Sequence, residues 1–192
     1  ADIQEALSVI GPHFAQIYGQ GECPMTITVL PPSVINDAAH PRYLARLASV
    51  GYAQSMVEVS VQDAQGRPVP VGERGEICVR GDVVMAGYWR DETASLAAIR
   101  DDWLATGDVG VLDEDGFLTL LDRSKDLVVS GGTNIYPREV EEALLLHPDV
   151  AEVSVIGRSD PEWGEVVVAY VVVRQPLNTS ELDTHCLRHI AR

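Results

Sequence analysis

Long apolar runs are missing from this 192-residue chain. Nowhere do about 20 apolar residues follow one another, so no helix of membrane-spanning length is written in it. Positive charge is scarce: 14 Lys and Arg stand against 29 Asp and Glu, and the formal net charge is −15. Such a field repels a phosphate backbone over long range and excludes a nucleic-acid-binding surface. Cysteine is sparse too. Cys23, Cys78 and Cys186 are odd in number and far apart, which leaves no disulfide framework and no CxxC zinc pair. The opening Ala1-Asp2-Ile3-Gln4 has neither the basic start nor the apolar core of a signal peptide. Together these absences predict a soluble, cytoplasmic protein without a nucleic-acid partner.

What is there suits a folded chain, with 46% hydrophobic and 22% charged residues. This length fits one medium domain or two small ones and buries about two-thirds of the unfolded surface. There are no internal repeats or low-complexity segments. A first helix is expected with Ile3, Leu7 and Ile10 on one face, ended by Gly11-Pro12. Phe14 to Tyr18 reads as a short buried strand running into the turn Gly19 to Pro24, and residues 31 to 50 as loop. Val57, Val59 and Val61 alternate with polar residues, as does Gly75 to Arg80, and Asp108 to Leu112 pairs with Phe117 to Leu121 across Asp113-Glu114-Asp115-Gly116. The middle third is therefore strand-rich.

Beyond the charged break Arg123-Ser124-Lys125-Asp126 the order becomes mixed. Leu127 to Val129 is a strand and Ser130 to Asn134 a loop. Pro137 opens a helix whose buried face holds Val140, Ala143 and Leu144. Val153 to Ile156 and Val166 to Val173 are further strands, the second apolar enough to be covered on both faces. A last helix, Ser180 to Arg192, takes Ser180 as its N-cap with Asp183 three residues on. The fold class is α+β: a β-rich, barrel-like part over residues 1–124 and a small mixed α/β part over 125–192. A chain that opens directly into a helix and stops as another ends reads as a fragment, both parts incomplete.

Four segments carry chemistry. Tyr18-Gly19-Gln20-Gly21-Glu22 offers an aromatic ring, close-approach backbone and a carboxylate. Thr106-Gly107-Asp108 follows Gly87-Tyr88-Trp89-Arg90, then comes Asp122-Arg123-Ser124-Lys125-Asp126, and Ser130-Gly131-Gly132 through Glu141 closes the set. A nucleotide site needs these parts: a surface for a base, a carboxylate for ribose hydroxyls, an arginine, and a carboxylate for Mg²⁺. Taken singly, each has a plainer reading. Thr-Gly-Asp is a turn, Tyr18 a core aromatic, Gly131-Gly132 a plain loop and Glu22 an exposed turn charge. His185 and His189 have near-ligand spacing, but Cys186 between them faces the core, which argues against a metal site.

In this order, the segments resemble the adenylate-forming enzymes, which include acyl-CoA synthetases, aryl-CoA ligases, luciferase-like enzymes and peptide-synthetase adenylation domains. The phrase Ser130-Gly131-Gly132-Thr133-Asn134-Ile135-Tyr136-Pro137-Arg138-Glu139-Val140-Glu141 is most similar to bacterial acyl-CoA synthetases. The resemblance implies an ATP-dependent ligase with ATP/AMP, Mg²⁺ and CoA as ligands and a fatty or aromatic carboxylic acid as substrate. It implies that Tyr18 stacks on adenine, with Gly19, Gln20 and Gly21 beside the nucleotide, and that Glu22 binds Mg²⁺. It assigns Asp108 to the ribose hydroxyls, Arg123 beside it, Leu120 near the adenosine and Lys125 to a hinge. Ser130, Gly131 and Gly132 would face a pantetheine tunnel. Gly21 departs from the family, which has Thr or Ser there. The family's Ser/Thr/Gly-rich phosphate loop and catalytic Lys lie outside the chain, so this polypeptide alone is expected to be inactive. A carrier-protein-loading adenylation domain and a non-catalytic binding module are the alternatives, and the oligomeric state is open, a homodimer included.

Overall fold

Helix α1 (Asp2–Ile10) starts the chain in the computed structural model, which describes residues 2–190. Two units follow from the internal contacts, Ala1–Leu120 and Leu121–Arg192.

In the first unit, α1 lays Ile3 and Leu7 against the buried cluster Leu30, Ile35, Leu47 and Phe117, while Ile10 is exposed, contrary to the expected stripe. The helix ends at Ile10, where Gly11 takes φ +89° and returns its N–H to the Leu7 carbonyl, as the Gly11-Pro12 signal predicts. Strand β1 (Gln16–Gln20) pairs antiparallel with β2 (Cys23–Leu30). The expected strand thus lies two residues later, and only Tyr18 of it is buried. Residues 31 to 50 are not plain loop. They hold α2 (Pro32–Ile35) and α3 (Tyr43–Ala48), whose Ile35 and Leu47 fill the cluster just named. Pro32 at the first helical position starts α2, a signal that three nearby prolines disguised as loop.

β3 (Tyr52–Ala53) extends the first sheet in the order β1-β2-β3. A second sheet follows, built from β4 (Glu58–Gln62), β5 (Gly75–Arg80), β6 (Ile99–Arg100), β7 (Trp103–Leu112) and β8 (Leu118–Arg123). Its order is β4-β5-β7-β6, with β8 paired to β7, and α4 (Glu92–Ala98) precedes β6. The two sheets share one core of Tyr18, Ile27, Val50, Val61, Ile77, Val79, Leu104 and Leu118. Burying aliphatic side chains of this kind contributes about 1.5–3 kcal/mol each. In β5, Ile77, Cys78 and Val79 are buried in succession, so the strand is covered on both faces and does not alternate.

The second unit is antiparallel throughout, in the order β10 (Thr133–Ile135), β9 (Val128–Ser130), β12 (Gly164–Val173), β11 (Val150–Asp160). Helix α5 (Pro137–Leu145) packs on β11, and the Glu141 carboxylate accepts the Val155 N–H at 2.8 Å. The expected face of Ala143 and Leu144 is buried. β12 corrects the expectation that both its faces are covered: Tyr170 and Val172 are 62% and 54% exposed. Helix α6 (Thr179–His189) is capped by Asn178, not Ser180. Asn178 and Glu181 form a reciprocal capping box, which the shorter Asp183 paired with Ser180 does not make. Ala191 and Arg192, the end of the expected helix, lie outside the described residues.

Candidate active site

The site of the first unit is built from two interruptions of regular pairing. Between Tyr18↔Thr28 and Gln20↔Cys23 only Gly19 lies on β1, whereas four residues lie on β2. The excess is folded into a bulge with Met25 at φ +52°, its carbonyl held by Gln54 Nε2 at 3.0 Å. The bulge backbone presses on Gly19: a Cβ there would lie 2.4 Å from Met25 N and 2.7 Å from the Cys23 oxygen. Glycine is therefore a steric requirement here. Two residues on, Gly21 sits in the exposed turn with nothing within 4 Å of an added Cβ.

The second interruption is Thr106-Gly107-Asp108. β5 and β7 pair Glu76 with Val109 and Cys78 with Ala105, so these three residues lie opposite Ile77 alone. Thr-Gly-Asp is a β-bulge within a strand, not a turn, and Asp108 is not at a strand end. The bulge turns Asp108 towards Tyr18, whose hydroxyl donates to Asp108 Oδ2 at 2.6 Å. With 8% of its surface exposed and its ring in the core, Tyr18 leaves little ring surface for a base to stack on.

Glu22 is half-buried and held twice. Its backbone carbonyl accepts Met85 N–H at 2.8 Å, and Oε1 accepts the Tyr88 hydroxyl at 2.7 Å. That hydrogen bond to Glu22 is the main reason the Tyr88 hydroxyl ionises above its ordinary range, with burial adding a little. Tyr88 is itself pinned: its N–H donates to Ser95 Oγ at 2.8 Å, and Ser95 Oγ donates to the Asp91 carbonyl. Tyr88 is the functional contact that sequence reasoning missed. The Gly-Tyr-Trp triplet was visible, but its reach across 66 positions to Glu22 was not. Leu120 packs against the core of this unit. Glu22, with one hard carboxylate oxygen unused by Tyr88, fits a Mg²⁺ ion held jointly with phosphates, for which one or two carboxylates suffice.

The second unit holds the remaining candidates. Arg123 leads into a 3₁₀ turn, Ser124–Asp126, and Arg123 and Lys125 are both exposed. Asp122 accepts the Arg123 N–H at 2.8 Å and the Arg138 N–H at 3.1 Å, tying this turn to the start of α5. Ser130 and Thr133 pair, which makes Gly131-Gly132 a two-residue hairpin turn and not an extended loop. Both glycines have positive φ, +56° and +81°, as the turn that matches strand twist demands. Gly131 N–H donates to the Trp163 carbonyl at 2.9 Å, and a Cβ on Gly131 would meet the Trp163 ring at 2.8 Å. Asp160 Oδ1 fixes this corner by accepting the N–H groups of Trp163 and Glu162, which hold its carboxyl below the usual range. On α6, His185 lies edge-on to His147 and tilted against His189, with ring centroids 5.1 and 4.5 Å apart. Among the described residues no group of three His, Cys, Asp or Glu side chains is arranged to hold a metal ion.

The first unit thus carries two carboxylates, Asp108 on a bulge and Glu22 in a turn, each held by a tyrosine hydroxyl. The pattern of the AMP-binding enzymes matches residues 1–89, and that of the AMP-binding enzyme C-terminal domain matches residues 139–192. The chain belongs to the AMP-binding enzymes. Among curated proteins it is 44% identical to the medium/long-chain-fatty-acid–CoA ligase FadD8 of Mycobacterium tuberculosis, covering 90% of this chain and 29% of that protein. Among solved structures it is similar to the o-succinylbenzoate CoA synthetase MenE of Bacillus subtilis in complex with the acyl-adenylate intermediate OSB-AMP. The TM-score is 0.83 at 38% identity, over 99% of this chain and 37% of that one. The same enzyme in complex with ATP and magnesium ion matches with a TM-score of 0.78 at 39% identity, over 93% of this chain and 35% of that one. The chain spans about a third of the length of the relatives it matches. No helix among the described residues is long and apolar enough to cross a membrane.

Proposed function

We propose that the protein carrying this chain is a cytoplasmic, AMP-forming acid–thiol ligase that activates a carboxylic acid with ATP and passes the acyl group to CoA. In the first step a carboxylate oxygen attacks the α-phosphorus, the bond to the bridging oxygen breaks, and pyrophosphate leaves. In the second the thiol sulfur attacks the acyl carbonyl, loses its proton, and AMP departs. The observation that carries this reading is the Tyr18–Asp108 contact between strands 90 positions apart, which presents an oriented carboxylate of the kind that accepts ribose hydroxyls. In this reading Tyr18 orients Asp108, Leu120 borders the adenosine, and Gly19, Gln20 and Gly21 bring backbone near the phosphates. Mg²⁺, when bound, supplies charge neutralisation at the phosphate oxygens. Glu22 provides its oxygen ligand, kept in place by Tyr88. Much of the rate then comes from positioning and electrostatic complementarity.

The second unit serves the thioester step. Lys125, exposed in its short turn, is the hinge, and Arg123 just before it is a further nucleotide-binding donor. The rigid Ser130-Gly131-Gly132 hairpin lines the path of the pantetheine arm. The relatives' names, a fatty-acid–CoA ligase and an o-succinylbenzoate CoA synthetase, support CoA as acceptor and leave both aliphatic and aromatic acids as substrates. The test incubates the full-length protein with ATP, Mg²⁺, CoA and a panel of carboxylic acids, and follows AMP and thioester by mass spectrometry. AMP with acyl-CoA is expected. ADP, or no acid-dependent AMP, overturns the ligase reading, and transfer to a carrier protein in place of CoA overturns the acceptor. Lys125→Ala is expected to slow thioester formation more than adenylate formation.

A further inference from the structure

The Thr106-Gly107-Asp108 bulge needs support that strand pairing does not give. Three residues opposite one lift the middle of the bulge off the ladder, and the local backbone amides must find other acceptors. Side chains supply them. Thr106 Oγ1 donates to the Ile77 carbonyl at 2.8 Å and accepts the Asp108 N–H at 3.1 Å. From the facing strand, Glu76 Oε1 accepts the Gly107 N–H at 3.2 Å. Glu76 is an unusual residue for this place: it is half-buried and directly precedes the buried run Ile77, Cys78, Val79. Its charge is felt inside the sheet, where, after burial itself, it is the second cause of the Cys78 thiol being pushed up to about 11. Keeping a carboxyl group there costs desolvation that an apolar residue would avoid. Its hydrogen bond explains its presence.

Resting on the reading in which Asp108 receives the ribose, we propose that Glu76 is a positioning residue for nucleotide recognition: its carboxylate holds Gly107 and so sets the direction in which Asp108 presents its oxygens. Asp108 is then located from three sides. Glu76 fixes the residue before it, Thr106 holds its N–H, and Tyr18 holds its Oδ2. The specific consequence is chemical. Loss of Glu76 weakens the contacts Asp108 makes, those to ribose hydroxyls, and leaves contacts made by the rest of the nucleotide and by the acid unchanged. A residue that only stabilised the sheet would not distinguish ATP from an ATP lacking one hydroxyl.

The experiment measures acid-dependent pyrophosphate exchange by the full-length protein with ATP, 2′-deoxy-ATP and 3′-deoxy-ATP. Wild type is expected to prefer ATP, and Asp108→Ala to lose that preference. Glu76→Ala is expected to raise KM for ATP about tenfold, the scale of one charge-assisted hydrogen bond, with KM for the acid unchanged. Its penalty shrinks with the deoxy analogue whose hydroxyl Asp108 binds. Glu76→Gln keeps an amide oxygen for Gly107 N–H and is expected to restore most of the loss. If Glu76→Ala does not fold, Glu76→Asp, one methylene too short to reach, carries the same expectation. The proposal is overturned if the folded variant discriminates ATP from both deoxy analogues as well as wild type does. It is also overturned if its loss is equal for all three nucleotides. Intact discrimination in Asp108→Ala overturns the ribose assignment of Asp108 instead, and the Glu76 proposal with it.

Discussion

Gly19, on β1, and Gly21, in the turn that follows it, stand two positions apart, and one added methyl group should have opposite effects on them. At Gly19 the new Cβ would lie 2.4 Å from Met25 N, 2.7 Å from Met25 Cα and 2.7 Å from the Cys23 oxygen. All three are backbone atoms, so no rotamer change relieves the clash. The strands must separate by several tenths of an ångström, in a stretch where Met25 already sits at φ +52°. Overpacking of this kind costs about 1–3 kcal/mol, and a backbone clash belongs at the upper end. For a domain of this size that is a fall in Tm of about 4–10 °C. At Gly21 nothing lies within 4 Å, and φ is outside the left-handed region. Alanine there loses less chain entropy on folding and should be neutral or stabilising by up to about 1 kcal/mol. Calorimetric melting of the full-length protein with each substitution reads the difference directly. Equal melting temperatures for the two variants, or a lower one for Gly21→Ala, would refute the steric account of Gly19. Gly21→Thr should be tolerated for the same reason, and by the family resemblance it adds a hydroxyl on the phosphate side that lowers KM for ATP.

Other expectations follow from single contacts. Tyr88→Phe removes the donor to Glu22 Oε1 from a surface site, so stability should change by less than about 0.5 kcal/mol while half-saturation by Mg²⁺ rises about tenfold; unchanged Mg²⁺ dependence would sink the pairing. Gly131→Ala places a methyl group 2.8 Å from the Trp163 ring at φ +56°, and should slow thioester formation while pyrophosphate exchange continues. Asp160 has a folded-state pKa below its ordinary value, chiefly from the Trp163 N–H, so its contribution to stability is present above the ordinary carboxylate range and is lost as pH falls through the depressed value. Asp160→Ala should therefore melt earlier than wild type at pH 7, and the gap should close in strong acid; a constant gap at all pH values would contradict it.

How much of this was legible beforehand depends on the distance over which each feature is decided. Local chemistry read well: Pro137 opens α5, Ala143 and Leu144 are buried, and Asp113 to Gly116 turn β7 into β8. The segments of the candidate site were recognisable in order, yet their geometry was not. Thr-Gly-Asp has the composition of a turn, and only its facing strand, where Ile77 alone opposes three residues, makes it a bulge. Gly131-Gly132 looked like a plain loop because the short Thr133–Ile135 strand carries little apolar pattern of its own. Without that strand the pair of positive-φ residues has no hairpin to close. β12 misled differently. Its run of valines satisfies the pattern of a doubly covered strand, but none of its residues is fully buried and Tyr170 and Val172 stay exposed. Tyr18 to Asp108 and Tyr88 to Glu22 are contacts across the chain, which no local pattern encodes.

Acid-dependent exchange of labelled pyrophosphate into ATP, in the full-length protein and its Asp108→Ala variant, tests the central claim most directly. It reads adenylate formation apart from the thioester step. The account predicts exchange that requires both Mg²⁺ and a carboxylic acid, reduced at least about a hundredfold by Asp108→Ala because an oriented charged partner of the nucleotide is lost. Exchange that survives the substitution unchanged, or no exchange with any aliphatic or aromatic acid, would contradict it.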